Sequence, residues 1–118
     1  MGYDVRGMFN EFVGGLGLYG KAQGEMTGAF MGLLGAAYKE GALSVKVKEL
    51  ISVGIAAYNR CQYCIVYHVY HALKAGATRE EIMEAANVAV AFGGGPSMSF
   101  LVTLVRESID VFAPEFGK

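Results

Sequence analysis

Apolar residues recur along most of the chain at intervals of three and four positions, which is the spacing of one face of an α-helix. The strict alternation of a β-strand is found nowhere in the sequence. The pattern therefore predicts an all-α fold of about six helices, over residues 5–18, 24–39, 45–59, 62–75, 78–92 and 97–112. The short joints between these helices favour antiparallel neighbours.

Residues at the joints support the same division of the chain. Ser44 is a favourable N-cap, and Thr78 with Glu81 has the capping-box pattern that opens a helix. Gly76 stands where the C-terminal stop of a helix is expected. The glycines and the proline at 93–96 separate the fifth predicted helix from the sixth. We expect one domain over residues 1–118, because the length is that of a single domain.

Composition adds a prediction about assembly. Apolar residue types make up 53% of the chain and charged types only 18%, against about 25% in typical domains. A domain of 118 residues cannot bury so much apolar material alone. Gly28, Gly32 and Gly35 also recur on one side of the second predicted helix, where small residues let a neighbouring helix approach closely. We therefore expect a homo-oligomer.

Charge and hydropathy argue against other classes of partner. A net charge of −1, from 10 basic and 11 acidic residues, provides no field that would gather nucleic acid. The longest uncharged stretch, 85–105, is divided by the glycines and proline at 93–96 into two pieces too short to cross a bilayer. The N-terminus has no signal-peptide pattern, and two cysteines are too few for a secreted disulfide scaffold. These features predict a cytoplasmic protein that binds neither nucleic acid nor membranes.

The candidate chemistry lies at the fourth predicted helix, where both cysteines and both histidines fall within eleven consecutive residues. At about 100° per residue, Cys64, His68 and His71 share one stripe of that helix, and Cys61 stands at its start. The free N–H groups and the dipole of a helix start favour a thiolate, and His68 can accept the proton of Cys64. If helices three and four pack antiparallel, Glu49 can face the sulfurs and complete a proton relay.

Zinc is an alternative occupant of the same residues, but the helix geometry argues against it. On one continuous helix, Cys61 and His71 lie about 15 Å apart along the axis, whereas zinc ligands converge at about 2.0–2.3 Å from the ion. We therefore predict neither a metal nor a cofactor. The cysteine pair is also compatible with plain core packing. Tyr63 and His71 fit packing or subunit contacts, and they are accessory candidates only.

The spacing of Glu49, Cys61-x-x-Cys64 and His68 resembles the alkylhydroperoxidase D-like motif of the carboxymuconolactone decarboxylase family. The following segment KAGATREEI and the glycine–proline joint are also similar to that family. The resemblance covers about residues 25–112. It implies an all-helical bundle that assembles as trimers or hexamers, with the site of a thiol peroxidase or disulfide reductase.

The resemblance also implies a role for each site residue. Cys64 would attack a hydroperoxide and Cys61 would resolve the product, while Glu49 and His68 shuttle the proton through water. A cellular dithiol would restore the pair. The helix dipole alone favours Cys61 as the more acidic thiol. The best-known peroxidases of the family have a second histidine between the cysteines, where this chain has Tyr63.

Two functions of other classes stay open beside the redox hypothesis. The first is a lyase of the decarboxylase branch, which would use Glu49 and His68 as acid and base. That chemistry has no use for a pair of thiols. The second is a non-catalytic binding protein whose helices build a homo-oligomer, and it predicts thiols of ordinary acidity.

Overall fold

A computed structural model describes residues 2–118, which fold into helices joined by short turns. No strand occurs in this part of the chain, which confirms the predicted all-α fold. The elements are α1 (Val5–Ala22), α2 (Gly24–Tyr38), α3 (Val45–Asn59), α4 (Gln62–Lys74), α5 (Arg79–Phe100), a π-helical turn (Leu101–Val105), α6 (Arg106–Phe112) and a closing 3₁₀ turn (Ala113–Phe116).

The predicted caps form as side-chain hydrogen bonds. The Ser44 hydroxyl accepts the backbone N–H of Val47 at 3.2 Å and opens α3. At α5, the Thr78 hydroxyl accepts the N–H of Glu81, and the Glu81 carboxylate accepts the N–H of Thr78. These bonds satisfy donors that have no partner inside a helix, which is why the sequence marks both starts clearly.

The end of the chain differs from the prediction in one respect. Residues Arg79–Phe116 form one helical run, so the described residues contain five continuous helices instead of six. Gly94 bends this run at the predicted joint, with φ 60° and ψ −142°, a conformation open to glycine. Helical hydrogen bonding resumes directly after the bend, and Pro96 is tolerated there because the first turn of a helix needs no N–H donor at that point.

Helix α4 lies at the centre of the core. Its inward face follows the spacing of an amphipathic helix and consists of Ile65, Val66, Val69, Ala72 and Leu73. Helix α3 packs against α4 and α5, and α6 returns to α4. The buried apolar side chains form one continuous cluster, whose largest members are Phe112, Ile65, Leu73, Ile82 and Leu104.

The run Arg79–Phe116 is long and apolar enough to cross a membrane by length and composition, and a window of 18 residues within it has a mean hydropathy of 1.7. Core helices of globular proteins pass the same test. Here the run bends at Gly94, and Ile82, Ala86 and Leu104 are buried in the common core. The run therefore supplies part of the core of a compact globular fold.

Residues 14–37 form an arm that the rest of the chain leaves largely uncovered. Helix α1 continues four residues beyond its predicted end at residue 18, and its one buried residue is Val5. Helix α2 has no buried residue at all, although Met26, Phe30 and Leu33 are large and apolar. The two helices pack against each other, and their outer faces meet solvent.

Candidate active site

A joint of two residues connects α3 to α4 and sets the register of the site. Arg60 has a left-handed backbone conformation, with φ 57° and ψ 36°. The N–H of Cys61 bonds to the carbonyl of Ala56 at 3.1 Å, and the N–H of Arg60 bonds to that of Ala57 at 3.3 Å. These bonds close the end of α3 and reverse the chain at once. Helices α3 and α4 therefore run side by side in opposite directions, as the sequence predicts.

The cysteine pair forms the start of α4. Cys61 is the N-cap residue, and its sulfur accepts the backbone N–H of Cys64 at 3.3 Å. The two Cα atoms are 5.2 Å apart, and the sulfurs are joined in a disulfide. Both residues are half-buried. The pair can therefore open and close as a dithiol at a helix start, where the N–H groups stabilise negative charge on sulfur.

A carboxylate and an imidazole connect the two helices next to this pair. Oε1 of Glu49 on α3 lies 2.7 Å from Nδ1 of His68 on α4. Glu49 is only 6% exposed, and the His68 side chain is 16% exposed. Because an ionised carboxylate only accepts hydrogen bonds, Nδ1 of His68 carries the hydrogen. This leaves Nε2 as the nitrogen that can take a proton.

The site also contains a tyrosine that the sequence analysis did not single out. The ring of Tyr38, the last residue of α2, is stacked on the His68 imidazole with centroids 5.6 Å apart and an angle of 19°. Its hydroxyl hydrogen-bonds with Oγ of Ser52, which itself donates to the carbonyl of Lys48 at 2.9 Å. Ser52 has one hydroxyl hydrogen, so Tyr38 is the donor in the first bond. Tyr38 thus fixes one face of the imidazole.

A second tyrosine borders the imidazole from α4 itself. The ring of Tyr67 meets His68 edge-on, with centroids 5.2 Å apart. Burial raises the pKa of both Tyr38 and Tyr67 above the ordinary value, and the charge of Glu49 acts in the same direction. Both phenols therefore stay neutral at physiological pH, and they surround His68 with rings and not with charges.

The two accessory candidates make their contacts with α1 and Tyr67. The Tyr63 hydroxyl donates to the Glu11 carboxylate on α1, and this bond raises the pKa of Tyr63. The His71 ring packs on Tyr67 with centroids 4.3 Å apart, next to Phe9 of α1. Burial lowers the pKa of His71 below its ordinary value. Both residues are therefore part of the aromatic contact between α1 and α4.

The described residues 2–118 contain no group of three or more His, Cys, Asp or Glu side chains arranged to hold a metal ion. Cys61 and His71 stand near opposite ends of α4, as the predicted helix geometry requires. The structure joins Cys61 to Cys64 at the start of α4 and pairs Glu49 with His68, one helical turn beyond Cys64. Chemically, a dithiol beside an imidazole can pass two electrons and two protons to an oxidant as its disulfide closes.

The fold and the site define a class: all-helical proteins with a Cys-x-x-Cys pair at a helix start and a Glu–His pair joining that helix to its neighbour. The chain belongs to the carboxymuconolactone decarboxylase family, whose sequence model matches residues 24–107. This match confirms the family that the motif spacing indicates. It covers both members of the Glu–His pair and both cysteines.

Relatives with curated sequences carry no stated activity. An uncharacterized protein of Cupriavidus necator is 35% identical over 97 residues, which are 82% of this chain and 86% of that protein. Uncharacterized protein 4 in the cox locus of Paracoccus denitrificans is 39% identical over 80 residues, or 68% of this chain and 72% of that protein. The similarity extends over most of each chain, so it supports the family and leaves the activity open.

Solved structures share the fold. A carboxymuconolactone decarboxylase family protein from Legionella pneumophila, in its apo form, superposes with a TM-score of 0.88 at 34% identity, covering 92% of this chain and 96% of that chain. A family protein from Thermotoga maritima, suggested to take part in an antioxidative response, gives a TM-score of 0.63 at 36% identity, covering 75% of this chain and 72% of that one. The Legionella protein thus matches nearly the whole chain, and the Thermotoga protein matches a shorter part.

Proposed function

We propose that this protein is a thiol-dependent peroxidase or disulfide oxidoreductase whose working dithiol is Cys61 and Cys64. The observation that carries the proposal is the 2.7 Å hydrogen bond between Glu49 and His68, one helical turn beyond Cys64. Burying a carboxylate is costly unless it is paired. A disulfide that served only as a structural link would need no such pair beside it. A proton acceptor for a reacting thiol does need one, because the carboxylate fixes the tautomer of the imidazole.

The reaction would begin in the reduced protein with transfer of the Cys64 proton to His68 Nε2, through water. The thiolate attacks one oxygen of a hydroperoxide, the O–O bond breaks, and the sulfur becomes a sulfenic acid. The leaving alkoxide takes the proton from His68 and departs as an alcohol. The Cys61 thiol then attacks the sulfenic sulfur, so that the disulfide forms and water leaves. A cellular dithiol reduces this disulfide and is itself oxidised to a disulfide.

The choice of Cys64 as the attacking residue rests on its neighbours. His68 lies one turn from Cys64 on the same helix, within reach of its proton. Cys61 has a different advantage, because its sulfur accepts an N–H at the helix start. That bond favours a thiolate on Cys61 as the group that leaves or resolves. The family resemblance supports the same order.

The test uses the fully reduced chain and one equivalent of an organic hydroperoxide, followed by intact mass. The native chain is expected to lose two hydrogens rapidly as the disulfide closes. The Cys61→Ser variant should gain one oxygen at Cys64 and react with dimedone, whereas Cys64→Ser should stay unchanged. The opposite pattern would reverse the order of the cysteines. If neither a hydroperoxide nor a small disulfide changes the native mass, the redox function is refuted, and the lyase and binding functions remain.

The proposal extends to the setting in which the protein works. A cytoplasmic location fits a site that must be reduced after every turnover, because cellular dithiols keep thiols reduced there. Homo-oligomeric assembly fits the exposed apolar side chains of α2. Light scattering is expected to show an assembly of identical chains, and a monomer at micromolar concentration would contradict this part.

A further inference from the structure

Three turns among the described residues end a helix in the same way. Each has one backbone hydrogen bond that spans five residues and, inside it, one that spans three, which together form the Schellman motif. The residue after the helix then has a left-handed backbone conformation. After α4 and after the closing 3₁₀ turn this residue is glycine: Gly76, with φ 104°, and Gly117, with φ 73°. In the turn that joins α3 to α4 it is Arg60, with φ 57°.

Arg60 is the exception because a side chain is unfavourable in this conformation. The Cβ atom of an L residue is crowded there, so glycine is the usual choice and other residues cost free energy. Arg60 is the one residue other than glycine with a positive φ in residues 2–118. Strain of this kind clusters at functional sites. The arginine side chain therefore needs an explanation that the turn itself does not supply.

The guanidinium of Arg60 carries a charge that no carboxylate of residues 2–118 pairs with. The other three arginines of the chain each form an ion pair with a glutamate or an aspartate; they are Arg6, Arg79 and Arg106. Arg60 forms none within the part of the chain that the structure describes, and it is exposed. Its charge is thus open to a molecule from solution.

This charge stands directly before the cysteine pair. Between Glu49 and Lys74, Arg60 is the only residue of the Lys, Arg, Asp and Glu types. The carboxylate of Glu49 is buried. The carboxylate of Glu11 is held at the hydroxyl end of the Tyr63 side chain. A molecule that reaches the sulfurs from solvent therefore meets a positive charge at the start of α4.

The dipoles of the two helices do not explain this charge. Arg60 follows the C-terminus of α3, where a cation is favourable, and it precedes the N-terminus of α4, where a cation is unfavourable. The two contributions have opposite signs at the same position. Glycine would avoid both of them and would also relieve the crowded Cβ atom.

We propose that Arg60 selects the oxidant: its guanidinium binds the carboxylate of an anionic substrate and brings the bond to be reduced to Cys64. This inference rests on the proposed function and adds the charge of the substrate to it. A guanidinium and a carboxylate form two parallel hydrogen bonds, which fix orientation as well as distance. Attraction between two exposed unit charges at contact distance favours the anionic substrate about three- to tenfold.

With a disulfide as the oxidant, the chemistry needs no further reactant. The Cys64 thiolate attacks one sulfur, the S–S bond of the substrate breaks, and one thiolate product leaves. The Cys61 thiolate then attacks the Cys64 sulfur and releases the second product. The substrate takes up the two electrons that the dithiol gives up, and the two thiol protons end on the products. Each departing thiolate is an anion that forms next to Arg60.

Three small disulfides that differ in charge test the selection. Dithiodipropionate is anionic, hydroxyethyl disulfide is neutral and cystamine is cationic, and all three have two methylene groups on each side of the S–S bond. The fully reduced chain is mixed with each at neutral pH and low salt, and closure of the Cys61–Cys64 disulfide is followed by acid quench and intact mass. The selectivity ratio is the rate with dithiodipropionate divided by the rate with hydroxyethyl disulfide.

We expect Arg60→Gln to lower the selectivity ratio about three- to tenfold, while its rate with the neutral disulfide changes little. Arg60→Lys should recover part of the ratio, and high salt should lower the native ratio towards that of Arg60→Gln. The matched control is Lys21→Gln, which removes an exposed cation at the end of α1 and should leave the ratio unchanged. Cystamine should react no more slowly with Arg60→Gln than with the native chain.

An equal ratio in the native chain and in Arg60→Gln would refute the selection. So would equal slowing with all three disulfides, because Arg60 would then act on the thiols and not on the substrate. If the native disulfide closes with none of the three and with no hydroperoxide, the proposed function fails and this inference falls with it. Closure with all three at rates that do not depend on Arg60 would refute the inference alone.

A second variant measures the cost of the side chain in the turn. Arg60→Gly relieves the crowded Cβ atom, so the urea midpoint of unfolding should rise above that of the native chain. The selectivity ratio should fall as it does in Arg60→Gln. A lower midpoint with an unchanged ratio would show that Arg60 serves the turn, and the proposal would be overturned.

Discussion

The strength of the Glu49–His68 hydrogen bond predicts how much the substitution Glu49→Gln should slow closure of the Cys61–Cys64 disulfide. The bond joins two side chains that are largely withdrawn from water, and a hydrogen bond to a charged group is worth about 1.5–3 kcal/mol. Glutamine keeps the size and an acceptor oxygen but loses the charge, so about half of this free energy, roughly 0.75–1.5 kcal/mol, is lost. A loss of that size corresponds to a reaction about 4- to 13-fold slower.

Removal of the whole side chain should have a larger effect. Glu49→Ala also leaves the N–H of His68 without its partner, and the loss of an orienting carboxylate of this kind costs about 10- to 100-fold. His68→Asn removes the proton acceptor itself, which is worth about 10²- to 10⁴-fold. Because Glu49 acts through His68, adding Glu49→Gln to His68→Asn should cause little further loss.

The assay is the rate at which the Cys61–Cys64 disulfide closes after one equivalent of organic hydroperoxide, sampled by acid quench and intact mass. Glu84→Gln is the matched control, because Glu84 is an exposed carboxylate on α5. Closure at the native rate in Glu49→Gln would refute the reasoning. The reasoning would also be refuted if the double variant slowed disulfide closure by the product of the two single effects, since Glu49 and His68 would then act independently.

Three further predictions concern neighbouring residues. Tyr38→Leu removes the ring stacked on His68 and should slow disulfide closure about two- to tenfold. Tyr38→Phe keeps the ring and should stay nearer the native rate. Both rates are measured by acid quench and intact mass. Burial lowers the pKa of His71, so as the pH falls below about 6.5 the unfolded chain binds a proton at this residue before the folded chain does. The free energy of unfolding, measured with urea, should therefore fall from pH 7 to pH 5. It should fall less in His71→Gln. The buried hydroxyl of Ser108 has no hydrogen-bond partner in residues 2–118, so Ser108→Ala should raise the free energy of unfolding by about 1 kcal/mol, while the exposed control Ser99→Ala should not.

The start of α4 could be predicted because its determinants are local. A cysteine at the N-cap, a second cysteine three residues on and a histidine one turn later specify a helix start and one shared face. The capping box at Thr78 and the bend at Gly94 are local in the same sense. The number of continuous helices does not follow from the local pattern, because helical hydrogen bonding resumes directly after Gly94.

The contacts between helices could not be fixed in this way. The sequence allows Glu49 to face the sulfurs or His68 if α3 and α4 are antiparallel, and the structure pairs it with Nδ1 of His68. Which of the two it meets depends on the rotation of α3 about its own axis, and no local pattern encodes that angle. Tyr38 lies thirty residues before His68, and an aromatic residue at the end of an apolar helix gives no sign of its partner. Its role follows from packing alone.

The position of Tyr38 has a consequence for how the site responds to its surroundings. The residue belongs at once to the end of α2 and to the stack on the His68 ring. Any movement of the arm is therefore transmitted to the imidazole by one residue. A change that displaces the arm would therefore slow disulfide closure while the buried core of the chain stays folded.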